Sequence, residues 1–310
     1  MKKILILGGA GFIGSHLCRR AIDNNFKVVC MDNLSSGSIN NISNIQSNNF
    51  EFVKMDICNE FDFNNDFDYI LNFACPASPK YYLDKPLETA FASTIGLINI
   101  LNFTKKNKKS ILLHSSTSEV YGDPLCHPQS EDYFGNVNTV GPRSCYDESK
   151  RVAETFIYEY VSNYNINAKI IRIFNTYGPN MAADDGRVVS NFINQALNNE
   201  DITIYGDGSQ TRSFCYIEDL IDGIFNYLLL EEKFMGPMNL GNPIEMKVKD
   251  LAEKVIKLTN SKSKIIYLDM PQDDPKLRQP NIKLAKDKIN FSPQHSIKKG
   301  LLLTIDYFSN

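Results

Sequence analysis

Short runs of β-branched and aliphatic residues alternate along the first half of the chain with longer stretches in which apolar positions recur every three or four residues. The runs at Lys3–Leu7, Lys27–Met31, Phe50–Lys54, Tyr69–Phe73, Ser110–His114 and Ala168–Ile173 read as strands. Several are almost continuously apolar, which predicts strands covered on both faces. Between them lie predicted helices, of which Pro86–Lys106 and Cys145–Asn163 are the longest. Strands alternating with helices imply a parallel sheet with right-handed crossovers, an α/β fold wound on both faces. After Asn175 the order becomes less regular. Gly, Pro and Asp gather at Tyr177–Gly186, Gly206–Ser209 and Met270–Pro280, as in loops that face a substrate. Further helices are predicted at Val188–Leu197, Ile217–Leu230, Val248–Leu258 and Ile297–Phe308. No repeat, low-complexity linker or break in composition separates the halves, so we expect a smaller C-terminal lobe interlaced with the sheet domain.

Composition narrows the partners. With 43% hydrophobic and 22% charged residues, the 310-residue chain can bury a large core, which excludes disorder. The formal net charge is −3 and the charges are dispersed, so neither a nucleic acid nor a membrane is expected as partner. Seven cysteines and four histidines form no CxxC pair and no spaced ligand set, so no metal site and no disulfide framework is expected. Unpaired cysteines fit a reducing, cytoplasmic location. Lys2 and Lys3 precede an apolar run, but Ile4–Leu7 is too short for the core of a signal peptide. No stretch approaches the ~20 apolar residues of a membrane span.

Gly8-Gly9-Ala10-Gly11-Phe12-Ile13-Gly14 follows a predicted strand and opens a helix. Gly8 and Gly11 would let the backbone turn tightly beneath a pyrophosphate, Gly14 would let helix and strand pack closely, and the helix N-terminus would face the anion. The domain is therefore read as Rossmann-type. Asp32, at the end of the second predicted strand, can accept hydrogen bonds from both ribose hydroxyls and would repel a 2′-phosphate, which favours NAD over NADP. The alternative for Asp32-Asn33 is a strand-end turn. Asp56-Ile57 stands after the third strand, placed to hold the adenine. Residues 1–174 are expected to form the NAD-binding domain, with part of 213–240 returning to it, and 175–310 mainly the substrate lobe.

Tyr146 and Lys150 are four residues apart in a predicted helix, which puts phenol and ammonium on one face. Beside a lysine and a positive nicotinamide the phenolate would be favoured over the phenol, whose pKa is ordinarily ~10, making Tyr146 a general base. Ser115-Ser116-Thr117-Ser118-Glu119 follows a strand and supplies the hydroxyls and carboxylate that this pair lacks.

With GGAGFIG, the YxxxK of Tyr146–Lys150 and STSEVYG at Ser116–Gly122, the chain resembles the extended short-chain dehydrogenase/reductases acting on nucleotide sugars, the NAD-dependent epimerase/dehydratase family. Within it the chain is most similar to the UDP-glucuronate decarboxylases, or UDP-xylose synthases. PASP at Pro76–Pro79, HPQSEDYFG at His127–Gly135, GPRSCYDESKRVAET at Gly141–Thr155, RIFNTYGP at Arg172–Pro179, DGRVVSNFI at Asp185–Ile193, GDGSQTRSF at Gly206–Phe214 and DDPKLRQP at Asp273–Pro280 carry that likeness.

The resemblance implies NAD held by Gly8, Gly11, Phe12, Ile13, Gly14, Asp32, Asn33, Asp56, Ile57, Ala74, Tyr146 and Lys150. It implies a UDP-sugar held by Tyr82, Ser118, Asn175, Arg187, Asn191, Arg212 and Arg278, the three arginines being expected at its phosphates. Catalysis would fall to Thr117, Glu119, Tyr146, Lys150 and Arg212. Tyr146 would take the proton of the C4 hydroxyl as C4 is oxidised. Glu119 and Arg212 would handle the carboxylate and the proton that follow, although Glu119 also reads as a strand-end carboxylate and Arg212 as a phosphate contact. Two long helices would pair with their copies in a homodimer. Ser118 stands where 4,6-dehydratases carry an Asp, which disfavours dehydration because a serine is no comparable acid. Asn72, Ser93 and Asn281 depart from the family's usual residues. Remaining alternatives are a dehydratase or epimerase, an oxidative decarboxylase that releases the 4-keto-pentose and NADH, and a dinucleotide-binding regulator without turnover.

Overall fold

The computed structural model describes residues 1–63 and 66–309. Seven parallel strands form the central sheet: β1 (Lys3–Leu7), β2 (Lys27–Asp32), β3 (Phe50–Lys54), β4 (Tyr69–Asn72), β5 (Ile111–Thr117), β6 (Asn167–Ile173) and β11 (Met238–Leu240). Their order is β11-β6-β5-β4-β1-β2-β3, so the chain builds outward from β1 in one direction and then, from β4, in the other. This is the expected doubly wound Rossmann-type sheet. The alternation of side chains sorts the core. Ile4 and Ile6 pack with Leu17 of α1 (Phe12–Asp23) and Ile221 of α7 (Ile217–Leu228) on one face. Leu5 and Leu7 pack with Leu101 of α4 (Leu97–Lys106) and Ile157 of α5 (Ser144–Tyr164) on the other.

Three departures from the sequence pattern bear on the site. The strand expected at Ser110–His114 runs instead from Ile111 to Thr117, because Ser115, Ser116 and Thr117 keep register with Ile171, Arg172 and Ile173 of β6. The buried Ser116 hydroxyl is satisfied from outside the sheet, donating to Glu154 Oε1 of α5 at 2.5 Å. The helix expected over Pro86–Lys106 is divided into α3 (Pro86–Phe91), a π turn at Ala92–Gly96 and α4. A Cβ on Gly96 would lie 2.6 Å from Ile57 Cδ1, so this glycine lets the segment after β3 nest against the turn. Strand β11 was not apparent from the pattern, being three residues long, and neither was α2 (Pro79–Asp84).

Beyond β6 the chain forms a short β7 (Thr176–Tyr177), α6 (Val188–Leu197), β8 (Ile202–Tyr205) and β9 (Thr211–Ser213) before β10 (Cys215–Tyr216) leads back through α7 to the sheet. The lobe is completed by β12 (Glu245–Lys247), α8 (Val248–Thr259), β13 (Ile265–Leu268), β14 (Leu277–Arg278), α9 (Lys283–Ile289) and α10 (Ile297–Ser309). Strand β9 pairs antiparallel with β12 and parallel with β14, which brings Arg212 and Arg278 side by side. The cleft between this lobe and the C-terminal ends of β1, β2, β4, β5 and β6 includes the switch point of the sheet, where open α/β folds bind ligands.

Candidate active site

The loop after β1 has no room for side chains. Gly8 has φ +77°, and a Cβ there would lie 2.5 Å from the Phe73 carbonyl oxygen. At Gly14 a Cβ would lie 2.0 Å from the Gly8 oxygen, so α1 starts directly against the loop. Gly11, at the N-cap of α1, puts no side chain over the first-turn N–H groups, and Phe12 and Ile13 line the cleft beside it. Asp32 is buried at the end of β2. Its Oδ2 accepts from the Ala10 N–H at 3.0 Å and its Oδ1 from the Leu34 N–H at 2.7 Å. Burial pushes this carboxyl up, while these N–H donors oppose the rise. A carboxylate retains lone pairs beyond those two bonds for ribose hydroxyls. Asn33 Nδ2 donates to Asp56 Oδ2 at 2.8 Å, and the Cys58 N–H donates to Asp56 Oδ1 at 2.8 Å. Burial acts to raise Asp56, but these bonds hold its carboxyl below the ordinary range. Ile57 and Ala74 also line the cleft. Asn72, one of the departures from the family pattern, accepts from the Ala74 N–H at 3.2 Å and so shapes this wall itself.

The side chains expected to be reactive meet where β5 ends beside the start of α5. Tyr146 and Lys150 are buried, and Lys150 Nζ donates to the Ser115 carbonyl at 2.8 Å. Thr117 hydrogen-bonds Tyr146, which favours the phenolate, yet burial dominates and raises Tyr146 above its ordinary value. The protein groups thus favour the neutral phenol, and a positive charge placed beside it would act in the opposite sense. The Tyr82 ring stacks on Tyr146 with centroids 5.0 Å apart and planes at 5°, and its buried hydroxyl has no partner. Thr117 Oγ1 accepts from the Glu119 N–H at 3.2 Å, and Ser118 Oγ donates to Glu119 Oε1 at 3.3 Å.

Glu119 is where the sequence reading was least complete. Its Oε2 accepts from Arg143 Nη2 at 2.6 Å and from Arg278 Nη2 at 3.2 Å. Burial opposes its charge, but Arg278, Arg143 and Arg212 together hold the carboxyl at about 2. In this arrangement it is ionised and cannot serve as a proton donor. Arg143 lines the cleft and was not among the expected residues, although its place three residues before Tyr146 on the same helical face was a readable signal.

Arg278 requires a correction. It is 1% exposed, is not part of the cleft wall, and gives Nη1 to the Ser118 carbonyl at 2.8 Å. A direct phosphate contact does not fit this position, and the residue meets the site through Glu119. Arg212 lines the cleft, with Nη2 on Asp274 Oδ2 at 2.9 Å. Arg187, paired with Asp185 at 2.6 Å, lines the cleft with Asn175 and Asn191. Among the described residues no group of His, Cys, Asp or Glu is arranged to hold a metal ion.

The cleft has a volume of about 1620 Å³, larger than the ~300–1,000 Å³ of a single-ligand pocket. Glycines whose missing side chains make room for an anion lie at one end, arginines at the other, and the tyrosine with its threonine and lysine lies between them. The residues present thus fit a dinucleotide and a second anionic ligand meeting at Tyr146. The NAD dependent epimerase/dehydratase family matches residues 4–241. The chain belongs to that family.

Among relatives, UDP-glucuronic acid decarboxylase 3 of Arabidopsis thaliana is 46% identical over 99% of this chain and 89% of its own. UDP-glucuronic acid decarboxylase 1 of Danio rerio is 45% identical over 99% and 73% respectively. Among solved structures, the UDP-glucuronic acid 4-epimerase of Bacillus cereus, in complex with UDP-glucuronic acid and NAD, superposes with a TM-score of 0.89 at 28% identity and covers 99% of both chains. The expected epimerase/dehydratase fold and its likeness to the decarboxylases are thereby borne out. Among the described residues, no helix is long and apolar enough to cross a membrane.

Proposed function

We propose that this protein decarboxylates UDP-glucuronate to UDP-xylose. One observation carries the choice among the family's activities: Ser118, not a carboxylic acid, lies between Thr117 and Glu119 at the reactive centre, in a chain that is 46% identical to a named decarboxylase over nearly its whole length. A dehydratase would need an acid there for its departing hydroxyl, whereas a leaving carbon dioxide needs none.

Bound NAD would accept a hydride from C4 of the sugar and later return it. The loop at Gly8–Gly14 and the carboxylates of Asp32 and Asp56 would hold its pyrophosphate and adenosine. Tyr146 takes the proton of the C4 hydroxyl, Thr117 hydrogen-bonds that oxygen, and Lys150 holds the ribose. The C4 ketone is β to the C6 carboxylate, so the electron pair left by departing carbon dioxide is delocalised as an enolate. C5 then takes up one proton, and Tyr146 returns its proton to O4 when C4 is reduced. Arg143 and Arg212 face the cleft as guanidinium groups suited to carboxylate and phosphate. Asn175, Arg187, Asn191 and Tyr82 contribute the remaining sugar and nucleotide contacts.

The assembly we infer is a homodimer. Leu87, Phe91 and Ile95 recur four residues apart along α3 and the π turn, Leu87 being 65% exposed, and Tyr158 of α5 is exposed as well. Such an apolar stripe on packed helices suits a second copy. The seven unpaired cysteines agree with a reducing cytoplasm. The activity is tested by incubating the protein with UDP-glucuronate and weighing the products. Loss of the mass of carbon dioxide supports the proposal, while an unchanged mass or loss of water replaces it with epimerisation or dehydration.

A further inference from the structure

Beneath the reactive tyrosine, two side chains one helical turn apart are incompletely paired. Nε of Arg143 and Oδ1 of Asp147 are buried and have no hydrogen-bond partner. Arg143 Nε lies 3.7 Å from Asp147 Oδ2, and closing that gap to an ordinary ~2.9 Å needs a shift of less than about one ångström. Meanwhile the other end of the guanidinium is engaged: Nη2 donates to Glu119 at 2.6 Å, and Nη1 reaches Asp274 Oδ1 at 3.4 Å. Arg143 thus sits among three carboxylates, firmly bonded to one and poised beside a second. Asp147 is 6% exposed and lies outside the cleft wall, so it can act only through its neighbours.

We propose that Asp147 is a positioning residue: by taking Nε of Arg143 it fixes the angle of the guanidinium, so that one edge stays on Glu119 and the edge that faces the cleft is held toward the carboxylate that decarboxylation removes. This rests on the decarboxylase reading above. In that reaction the C5–C6 electron pair stays on C5 as the enolate. C5 takes its proton from solvent in the cleft, and Glu119 stays ionised as the partner of Arg143 and Arg278. Asp147 is faced by Glu119 from the turn after β5, by Arg278 of β14, by Tyr82 of α2, and by Cys145, Arg143 and Glu148 of its own helix. Burial and the Glu119 charge raise its carboxyl to about 7, against the pull of Arg143 and Arg278. It is therefore neutral below neutrality and charged above it, and only the charged form attracts Arg143 strongly.

The test separates oxidation from decarboxylation. For Asp147→Asn, which keeps the shape and removes the charge, NADH formation in the first turnover should stay within about threefold of the parent, while carbon dioxide release slows by about tenfold or more. The parent's rise in decarboxylation rate through neutral pH should also disappear in the variant. Equal slowing of both steps, or an unchanged rate and pH profile, overturns the inference. If Asp147→Asn does not fold, Asp147→Glu carries the test, since it must keep the rise near neutrality and a flat profile overturns the role. Failure of the parent to release carbon dioxide overturns the decarboxylase reading, and this inference with it, before any variant is made.

Discussion

Replacing Glu119 by Gln tests whether the arginine cluster is built around that carboxylate. Gln keeps the shape and one acceptor but removes the charge that Arg143 Nη2 meets at 2.6 Å and Arg278 Nη2 at 3.2 Å. Arg278 is 1% exposed and its Nε has no partner, so it would become a buried guanidinium without its counter-ion. The carboxyl is lowered from 4.5 to about 2, which at ~1.36 kcal/mol per pKa unit corresponds to about 3 kcal/mol of native-state stabilisation. Breaking a buried ion pair from one side costs a similar ~3–5 kcal/mol. Because the folded-state pKa is depressed, the contribution is complete above pH ~4.5 and is lost as pH falls toward ~2. Urea unfolding of parent and Glu119→Gln should therefore differ by about 3 kcal/mol at pH 7, with the gap narrowing as pH is lowered from 5 toward 3. Equal stabilities at pH 7, or a gap indifferent to acid, would refute the ion-pair account.

Three further outcomes are expected. Tyr146→Phe should reduce turnover by ~100-fold or more, the usual contribution of a general base, while NAD affinity measured by calorimetry stays within a few-fold; near-parental turnover removes the base assignment. Asp32→Ala should weaken NAD binding by ~10-fold or more, since hydrogen bonds to a charged acceptor contribute about 1.5–3 kcal/mol each, and an unaltered dissociation constant would take Asp32 out of the site. Phe91→Asp should give a monomer in sedimentation experiments, because an unpaired charge cannot be buried on the apolar stripe; an unchanged oligomeric state would move the interface elsewhere.

That the candidate site residues share one cleft was legible where the spacing is local. The glycines, Tyr146 with Lys150, and Thr117 with Glu119 each lie within one turn or one strand end, where spacing fixes neighbourhood. Arg278 was misplaced for the opposite reason. Its bond to the Ser118 carbonyl joins residues 160 positions apart, and it depends on β14 pairing with β9. No local pattern encodes that pairing. Arg143 was readable but overlooked, since an arginine before a helix looks like any solvated cation until the carboxylates around it are placed. The π turn was hidden for a related reason. Its helical periodicity continues through Ala92–Gly96, and the close approach of Ile57 to Gly96 comes from a segment distant in sequence.

The central claim is that the cleft removes the C6 carboxyl after oxidation at C4. The most direct measurement supplies UDP-glucuronate isotopically labelled in that carboxyl and follows the label. The account predicts labelled carbon dioxide released one for one with an unlabelled UDP-pentose, and no accumulation of NADH. Label that remains in a six-carbon product would contradict it.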